Sequence, residues 1–566
     1  MESLHDERAA GETRRPREVR AALGGVLLLL AVLAAVMAVR AWLGLNDREP
    51  LLAGLPAGGS REAEVPPPRM VRRAVLVIAD GLTLEASEGL PVLTRIRAGG
   101  VSATASAAGP TFSTPSYVTW LSGLDPVDSG VRTNRYQGPL RLDSVLARAR
   151  AAGLRTLGYD GGPGPVLATL YRPHLRRHLL GSEAWGQVLA AIPEADLAVL
   201  ALTEVDSAGH RRGAGDPSYT EAARIVDGKL GELERTLDLR RDVLIVVSDH
   251  GHLRRGGHGG IEDPVRTLFL AGIGAVIARG RRAAMDPKDL APTLSALLGL
   301  QPPSHNRGWS LGWALTSEIE EPRFWEASFA AQYRARYRVE HYLGEELGAV
   351  LQLGRQPRPR DVVRATLGNL EEARRLGWHT LQTMQHQVDA ARRAYLDRLR
   401  RVRASWVGGV LVVCLVLLVV AGRLRWIRVG ALGWLLALTP APIVAGALFL
   451  LDLRPTLSFS GTPERWLILV GGAAAAAALL HGLLAMTGGR DERGDALAGR
   501  ILAGAFVASA IAGAAHVIMV TAAGAALPDL RLLAGALIAA FGWAIHLAMA
   551  GILLLLAALR RRIGEP

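Results

Sequence analysis

Apolar and polar positions alternate along this chain at two scales. At the short scale, runs such as AVLVIAD ending at Asp80, LAVLALTEVD ending at Asp206 and DVLIVVSDH ending at His250 are continuous enough to read as strands buried on both faces. Between them lie segments of helical period, LDSVLARARAAG and YTEAARIVDGKLGELERTL among them, so residues 72–315 read as a doubly wound α/β domain. The segment PKDLAPTLSALLGLQPP closes it as a helix, with Asp289 as the expected N-cap and a Pro pair beyond its end. No internal repeat is visible.

At the long scale, six apolar spans of membrane length appear, at 21–39, 406–421, 429–451, 466–486, 501–520 and 532–559. Arg14, Arg15, Arg17 and Arg20 stand just before the first, which reads as a retained signal anchor over 21–43 after a cytoplasmic tail of residues 1–20. A cleaved signal peptide is the competing reading. Segments carrying Arg423, Arg425 and Arg428, then Arg490, Arg493 and Arg500, then Arg560, Arg561 and Arg562 alternate with arginine-poor ones. That bias puts the amino terminus inside the cell and the large segment after the first span outside, in a multi-pass protein of the cell (inner) membrane.

Residues 44–71 are rich in Gly, Pro and Ala without periodicity and read as a tether. Over 316–404 the chain becomes charged and helical, with Leu381, Met384, Val388, Ala391, Tyr395, Leu399 and Val402 recurring at three and four, as in a helical stalk used as a spacer. A five-helix membrane domain is expected over 405–566. Within it His481, His516 and His546 are candidates for function, and Pro440 and Pro442 would break one span.

Half of the 566 residues are hydrophobic, which leaves room for a large core beside the membrane part. Cys414 is the single cysteine, so disulfide frameworks and cysteine-based zinc sites are excluded. The net charge of +13 comes almost wholly from arginine, with Lys229 and Lys288 the only lysines. Because many of these arginines flank the apolar spans, membrane topology accounts for them and no nucleic-acid partner is expected.

The chemistry gathers where the strand-like runs end. Asp80, Asp206, His210, Asp249, His250 and His258 follow such runs, and in open α/β sheets the carboxyl edge is where ligands bind. Carboxylates with neutral imidazoles suit zinc, and three of each suffice for two divalent ions. His252 competes with His258; the glycines around His258 in GGHGG favour the latter and leave His252 as a neighbour. The segment TFSTPSYVTWLSGLDP offers the hydroxyls of Thr111, Ser113 and Thr114. Ser113, two residues before Pro115 at a helix start, is the preferred nucleophile, with simple N-capping by Ser113 or Thr114 the alternative.

Taken in order, Asp80-Gly81, STPS at 113–116, LSGLDP at 121–126, DSAGH at 206–210, SDHGH at 248–252 and GHGG at 257–260 resemble the alkaline phosphatase superfamily. The order is most similar to its type I phosphodiesterase and nucleotide pyrophosphatase branch. The resemblance implies one ion held by Asp80, Ser113, Asp249 and His250 and a second by Asp206, His210 and His258, both zinc. It also implies a covalent phospho-serine at Ser113 and an Asn, here Asn134, that steadies a non-bridging phosphate oxygen. Two departures stand out. Tyr117 occupies the place of the Arg in the sulfatase C/S-x-P-S-R signature, which argues against a sulfatase, and Ser stands where Thr is commoner at the nucleophile. The arrangement of one span, an outer domain, a helical bracket and a multi-span bundle is similar to the glycosylphosphatidylinositol (GPI) ethanolamine-phosphate transferases. That likeness implies a lipid or glycolipid phosphodiester as substrate. A nucleotide pyrophosphatase with a mere anchor, or an inactive scaffold or transport protein, are the other readings.

Overall fold

The computed structural model describes residues 50, 52–56, 65–260, 262–316, 322–347, 372 and 375–394. The chain divides into two compact units, and every described residue belongs to the one formed by Asn46–Tyr395 and Leu457–Gly461. The expected spans at 21–43 and 405–566 lie outside the described residues. Among the described residues, no helix is long and apolar enough to cross a membrane.

The core is one eight-stranded sheet in the order β4-β3-β5-β1-β6-β7-β2-β8. Its strands are β1 (Arg73–Ala79), β2 (Val101–Ser106), β3 (Thr156–Asp160), β4 (Arg177–Leu180), β5 (Leu197–Leu202), β6 (Asp242–Val247), β7 (Thr267–Gly274) and β8 (Arg281–Met285). The three apolar runs of the sequence are the adjacent strands β5, β1 and β6, all parallel, with Ala79 paired to Leu202 and Ile78 to Val247. Every residue of these three strands is buried, as their unbroken apolar character requires. Alternate residues of β1 serve opposite layers. Leu76 and Ile78 pack with Tyr117, Trp120 and Leu294, while Val75 and Val77 pack with Leu93, Ile96 and Leu230.

The principal helices are α1 (Pro91–Gly99), α2 (Ser113–Ser122), α3 (Val145–Ala151), α4 (Glu204–Arg212), α5 (Pro217–Thr236), α6 (Leu290–Leu297) and α7 (Pro322–Glu346). Two sequence expectations change here. The sheet is mixed, because β7 runs antiparallel to both β6 and β2. The chain leaving β6 is a glycine-rich loop with one short helix in place of the crossover helix usual between parallel strands, and β7 returns antiparallel. Asp289 does stand at the start of α6, but it makes no capping bond there. Its carboxylate instead accepts the Trp309 N–H at 2.8 Å, tying the helix to a loop distant in sequence.

The charged segment expected as a spacer packs against the sheet unit wherever it is described. Leu381 joins Phe329 and Tyr333 in one cluster, and Val388 enters the main core. Trp309 lies edge-on to Phe329 and to Trp378. A buried ion network fastens the layers. Arg307 forms two bonds to Glu340 of α7, at 2.9 and 3.0 Å, and one to Asp128 at 2.7 Å, while Arg392 reaches the other Asp128 oxygen. Of the apolar stripe expected on the stalk, Leu381, Met384 and Val388 are buried on the domain, and the stripe beyond residue 394 lies outside the described residues.

Candidate metal centre

Because β5, β1 and β6 are neighbours with a common direction, their carboxyl ends bring Asp80, Asp206, Asp249 and His250 to one place. Asp80 follows β1 directly. Asp206 and His210 lie four residues apart on α4, which puts both on one helix face, with His210 Nε2 3.4 Å from Asp206 Oδ1. The turn at Gly81 is forced: its φ is +74°, and a Cβ there would sit 2.8 Å from the Asp206 Cα. Its N–H donates to Asp249 Oδ1 at 3.0 Å, and the Asp206 N–H donates to the Asp80 carbonyl at 3.0 Å, so the three strand ends are laced together by backbone.

Ser113 is the first residue of α2. The N-cap position belongs to Phe112 and no side chain caps the helix, so capping does not use the Ser113 hydroxyl. Its Oγ stands 3.2 Å from His250 Nε2. The other ring nitrogen, Nδ1, donates to the Gly251 carbonyl at 3.2 Å, which leaves the Nε2 lone pair facing the hydroxyl. Thr111 is differently placed. Its hydroxyl donates to the Gly260 carbonyl at 2.8 Å and accepts the Gly259 N–H at 2.9 Å, and its carbonyl accepts from His258 Nδ1 at 2.9 Å. It clamps the GHGG loop and has no proton left for chemistry. Asn134 accepts the Thr114 N–H at 2.9 Å through Oδ1, so its NH2 is the group left to meet an oxygen anion.

Two donor sets result, Asp80, Asp249 and His250 in one, and Asp206, His210, His252 and His258 in the other. In the first, His250 Nε2 is 3.2 Å from Ser113 Oγ and 3.4 Å from both Asp80 Oδ1 and Asp249 Oδ2. Ligands about 2.0–2.1 Å from a tetrahedral zinc stand about 3.3 Å apart, so this spacing fits one ion. Both carboxylate oxygens, though buried, have no hydrogen-bond partner, whereas the remaining oxygens are occupied: Asp249 Oδ1 by the N–H groups of Gly81 and His250, Asp80 Oδ2 by the Tyr117 hydroxyl at 3.0 Å. In the second set, His258 Nε2 lies 3.1 Å from His210 Nε2 and 3.6 Å from Asp206 Oδ1. The sets adjoin, since the His250 and His258 rings stack at 3.8 Å.

Electrostatics point the same way. Burial, with Asp249 and Asp206 nearby, pushes the Asp80 carboxyl far above its usual range, and burial raises Asp249 to about 7. Burial lowers His250 to about 3 and also depresses His210 and His258, so the imidazoles are neutral and able to ligate. Burial opposes ionisation of Asp206 too, but the hydrogen bond with His252 leads the opposing influences and the group is held below the ordinary carboxylate range. Carboxylates forced towards protonation beside neutral histidines are what a buried cation would relieve.

All the residues expected at the site converge. Sequence reasoning set His252 aside, yet its Nε2 lies 2.9 Å from Asp206 Oδ1 and it belongs to the second donor set beside His258. Tyr117 was weighed only against a sulfatase signature, although its position four residues after Ser113 on a helix already places it on the same face. Beside the centre opens a cleft of about 470 Å³, lined by Ser113, Asn134, Tyr136, Gln137, the Gly162–Pro165 loop and Arg211.

Residues 165–288 match the family described as type I phosphodiesterase / nucleotide pyrophosphatase. Of the motifs that carry the resemblance to the type I phosphodiesterase and nucleotide pyrophosphatase branch, those at 206–210, 248–252 and 257–260 fall inside this stretch. Curated relatives are similar over parts of the chain. The chain is 31% identical over 134 residues to GPI ethanolamine phosphate transferase 3 of Eremothecium gossypii, covering 21% of this chain and 13% of that one. It is 25% identical over 292 residues to the human GPI ethanolamine phosphate transferase 2 catalytic subunit, covering 44% and 29%. The matches thus span less than a third of the length of these relatives. Murine ectonucleotide pyrophosphatase/phosphodiesterase 5 aligns in structure with a TM-score of 0.36 at 16% identity, covering 43% of this chain and 98% of its own.

Proposed function

We propose that the protein is a membrane-bound, metal-dependent phosphodiesterase or phosphoethanolamine-type transferase that acts on lipid-linked phosphodiesters through a phospho-serine at Ser113. The observation that carries this reading is the Ser113 hydroxyl, free of any capping role, at ligand spacing from His250 and beside two partnerless buried carboxylate oxygens. Two divalent ions, zinc by the donor set, would be held by Asp80, Ser113, Asp249 and His250 and by Asp206, His210 and His258. They would supply acidification of the hydroxyl and neutralisation of charge on the leaving oxygen.

The chain's own groups do the rest. Ser113 Oγ releases its proton to water in the open cleft and bonds to phosphorus while the bond from phosphorus to the alcohol oxygen breaks, and that oxygen takes a proton back from water. The Asn134 NH2 steadies a non-bridging oxygen, a contribution on the order of 3 kcal/mol for a well-placed donor. Water or an acceptor hydroxyl then attacks the phospho-serine and restores Ser113. Tyr136, Gln137 and Arg211 line the adjoining cleft and are the polar groups it offers to the rest of the substrate.

The apolar spans and their arginine bias support a multi-pass inner-membrane protein with an extracytoplasmic domain. Tethering near the bilayer raises the effective concentration of a lipid donor without new contacts. The relatives support phosphoethanolamine as the group moved and a glycolipid as acceptor. The test uses full-length protein with head-group-labelled phosphatidylethanolamine, bis-p-nitrophenyl phosphate and a dinucleotide, together with glycolipid mass spectrometry of a deletion strain. Transfer of label, and its loss from glycolipids on deletion, is the expected result. Cleavage of nucleotides alone would make the protein a nucleotide phosphodiesterase with an anchor, and absence of any turnover would leave a scaffold.

A further inference from the structure

We propose that Tyr117 is a positioning residue that fixes which oxygen of Asp80 faces the first metal site and ties that ligand to the helix of the nucleophile; the inference rests on the metal reading above. Tyr117 is wholly buried, and its hydroxyl donates to Asp80 Oδ2 at 3.0 Å. The opposite oxygen, Oδ1, is buried, has no hydrogen-bond partner and lies 3.4 Å from His250 Nε2. One oxygen is thereby anchored and its twin is aimed.

Asp249 repeats the arrangement with backbone donors: Oδ1 accepts the N–H groups of Gly81 and His250, and Oδ2 is the partnerless, inward-facing atom. Asp80 has no such backbone donors among the bonds described, and Tyr117 supplies the equivalent constraint. Because Ser113 and Tyr117 are one turn apart on α2, a single rigid element sets both the nucleophilic oxygen and the Asp80 carboxylate. A shift of α2 would move hydroxyl and ligand together.

Groups that orient ligands in this way typically change metal affinity about 10–100-fold when removed. The experiment compares full-length wild type, Tyr117→Phe and Tyr171→Phe by zinc titration against a chelating dye and by melting of the zinc-free proteins. Tyr171 is the matched control, a buried tyrosine whose hydroxyl donates to the Tyr117 carbonyl at 3.5 Å and lies beside the Ser122 hydroxyl, neither of them a proposed metal ligand. Tyr117→Phe is expected to bind one of two zinc ions about 10–100-fold more weakly and the other as wild type does, while Tyr171→Phe binds both normally. Unchanged affinity in Tyr117→Phe, an equal loss in Tyr171→Phe, or collapse of the zinc-free Tyr117→Phe fold would each overturn the proposal. A wild-type protein that holds no zinc would instead remove the metal reading on which it stands.

Discussion

Gly81→Ala tests how tightly the ends of β1 and α4 are joined. At φ +74° an L-residue costs about 1–2 kcal/mol. The added Cβ would also lie 2.8 Å from the Asp206 Cα and 2.9 Å from its Cβ, against ordinary contact from 3.4 Å, so the two segments must part by about 0.6 Å. Forcing a methyl into such a packed position costs about 1–3 kcal/mol more. The sum, about 2–5 kcal/mol, corresponds to a fall in Tm on the order of 5–10 °C. The same displacement moves Asp206 relative to Asp80 and disturbs the Gly81 N–H bond to Asp249. A misplacement approaching 1 Å costs up to about 100-fold in rate, so turnover should drop about 10–100-fold. Gly89→Ala is the control, since Gly89 has φ −87° and nothing within 4 Å of the added carbon. Thermal unfolding and hydrolysis of bis-p-nitrophenyl phosphate would be measured for both. If Gly81→Ala melts and turns over as Gly89→Ala does, the close approach of the two donor sets is not what the structure says it is.

Other outcomes follow from the same geometry. Arg307→Met leaves Asp128 with only Arg392 and Glu340 with no partner among the bonds described, at a cost of about 3–5 kcal/mol in denaturant unfolding; Arg392→Met should cost less, because Arg307 still holds Asp128. Zinc binding should release protons, because the ligating form of Asp249 is the carboxylate and burial raises its pKa to about 7. Affinity at the first site should therefore fall about tenfold for each proton displaced per unit as pH drops below 7, and calorimetry in buffers of different ionisation enthalpy would show the release. Thr111→Val, which removes two bonds to the GHGG loop, should lower stability by about 1–3 kcal/mol and weaken zinc at His258, yet leave the covalent adduct on Ser113.

Much of this arrangement was legible in the chain because the signals were local. An unbroken apolar run followed by Asp or His is a buried strand delivering a ligand, and β1, β5 and β6 are those runs. What escaped was set by contacts between distant segments. The reversal of β7 depends on how the glycine-rich loop turns back, which no periodicity records. Asp289 has the right residue type and place for a cap, but the Trp309 amide competes for its carboxylate. The helix at 375–394 reads as part of a stalk from its own periodicity, which cannot show that Leu381 packs with Phe329 and Tyr333 or that Val388 enters the main core. His252 looked redundant beside His258 because sequence spacing cannot show that both rings reach Asp206.

The central claim is a covalent phospho-enzyme at one hydroxyl, and rapid acid quenching of the zinc-loaded protein during turnover, followed by peptide mapping, tests it most directly. The account predicts a phosphoryl adduct on Ser113, absent from Ser113→Ala, which should keep its zinc and lose turnover. An adduct on Thr111 or Thr114, or undiminished turnover by Ser113→Ala, would contradict it.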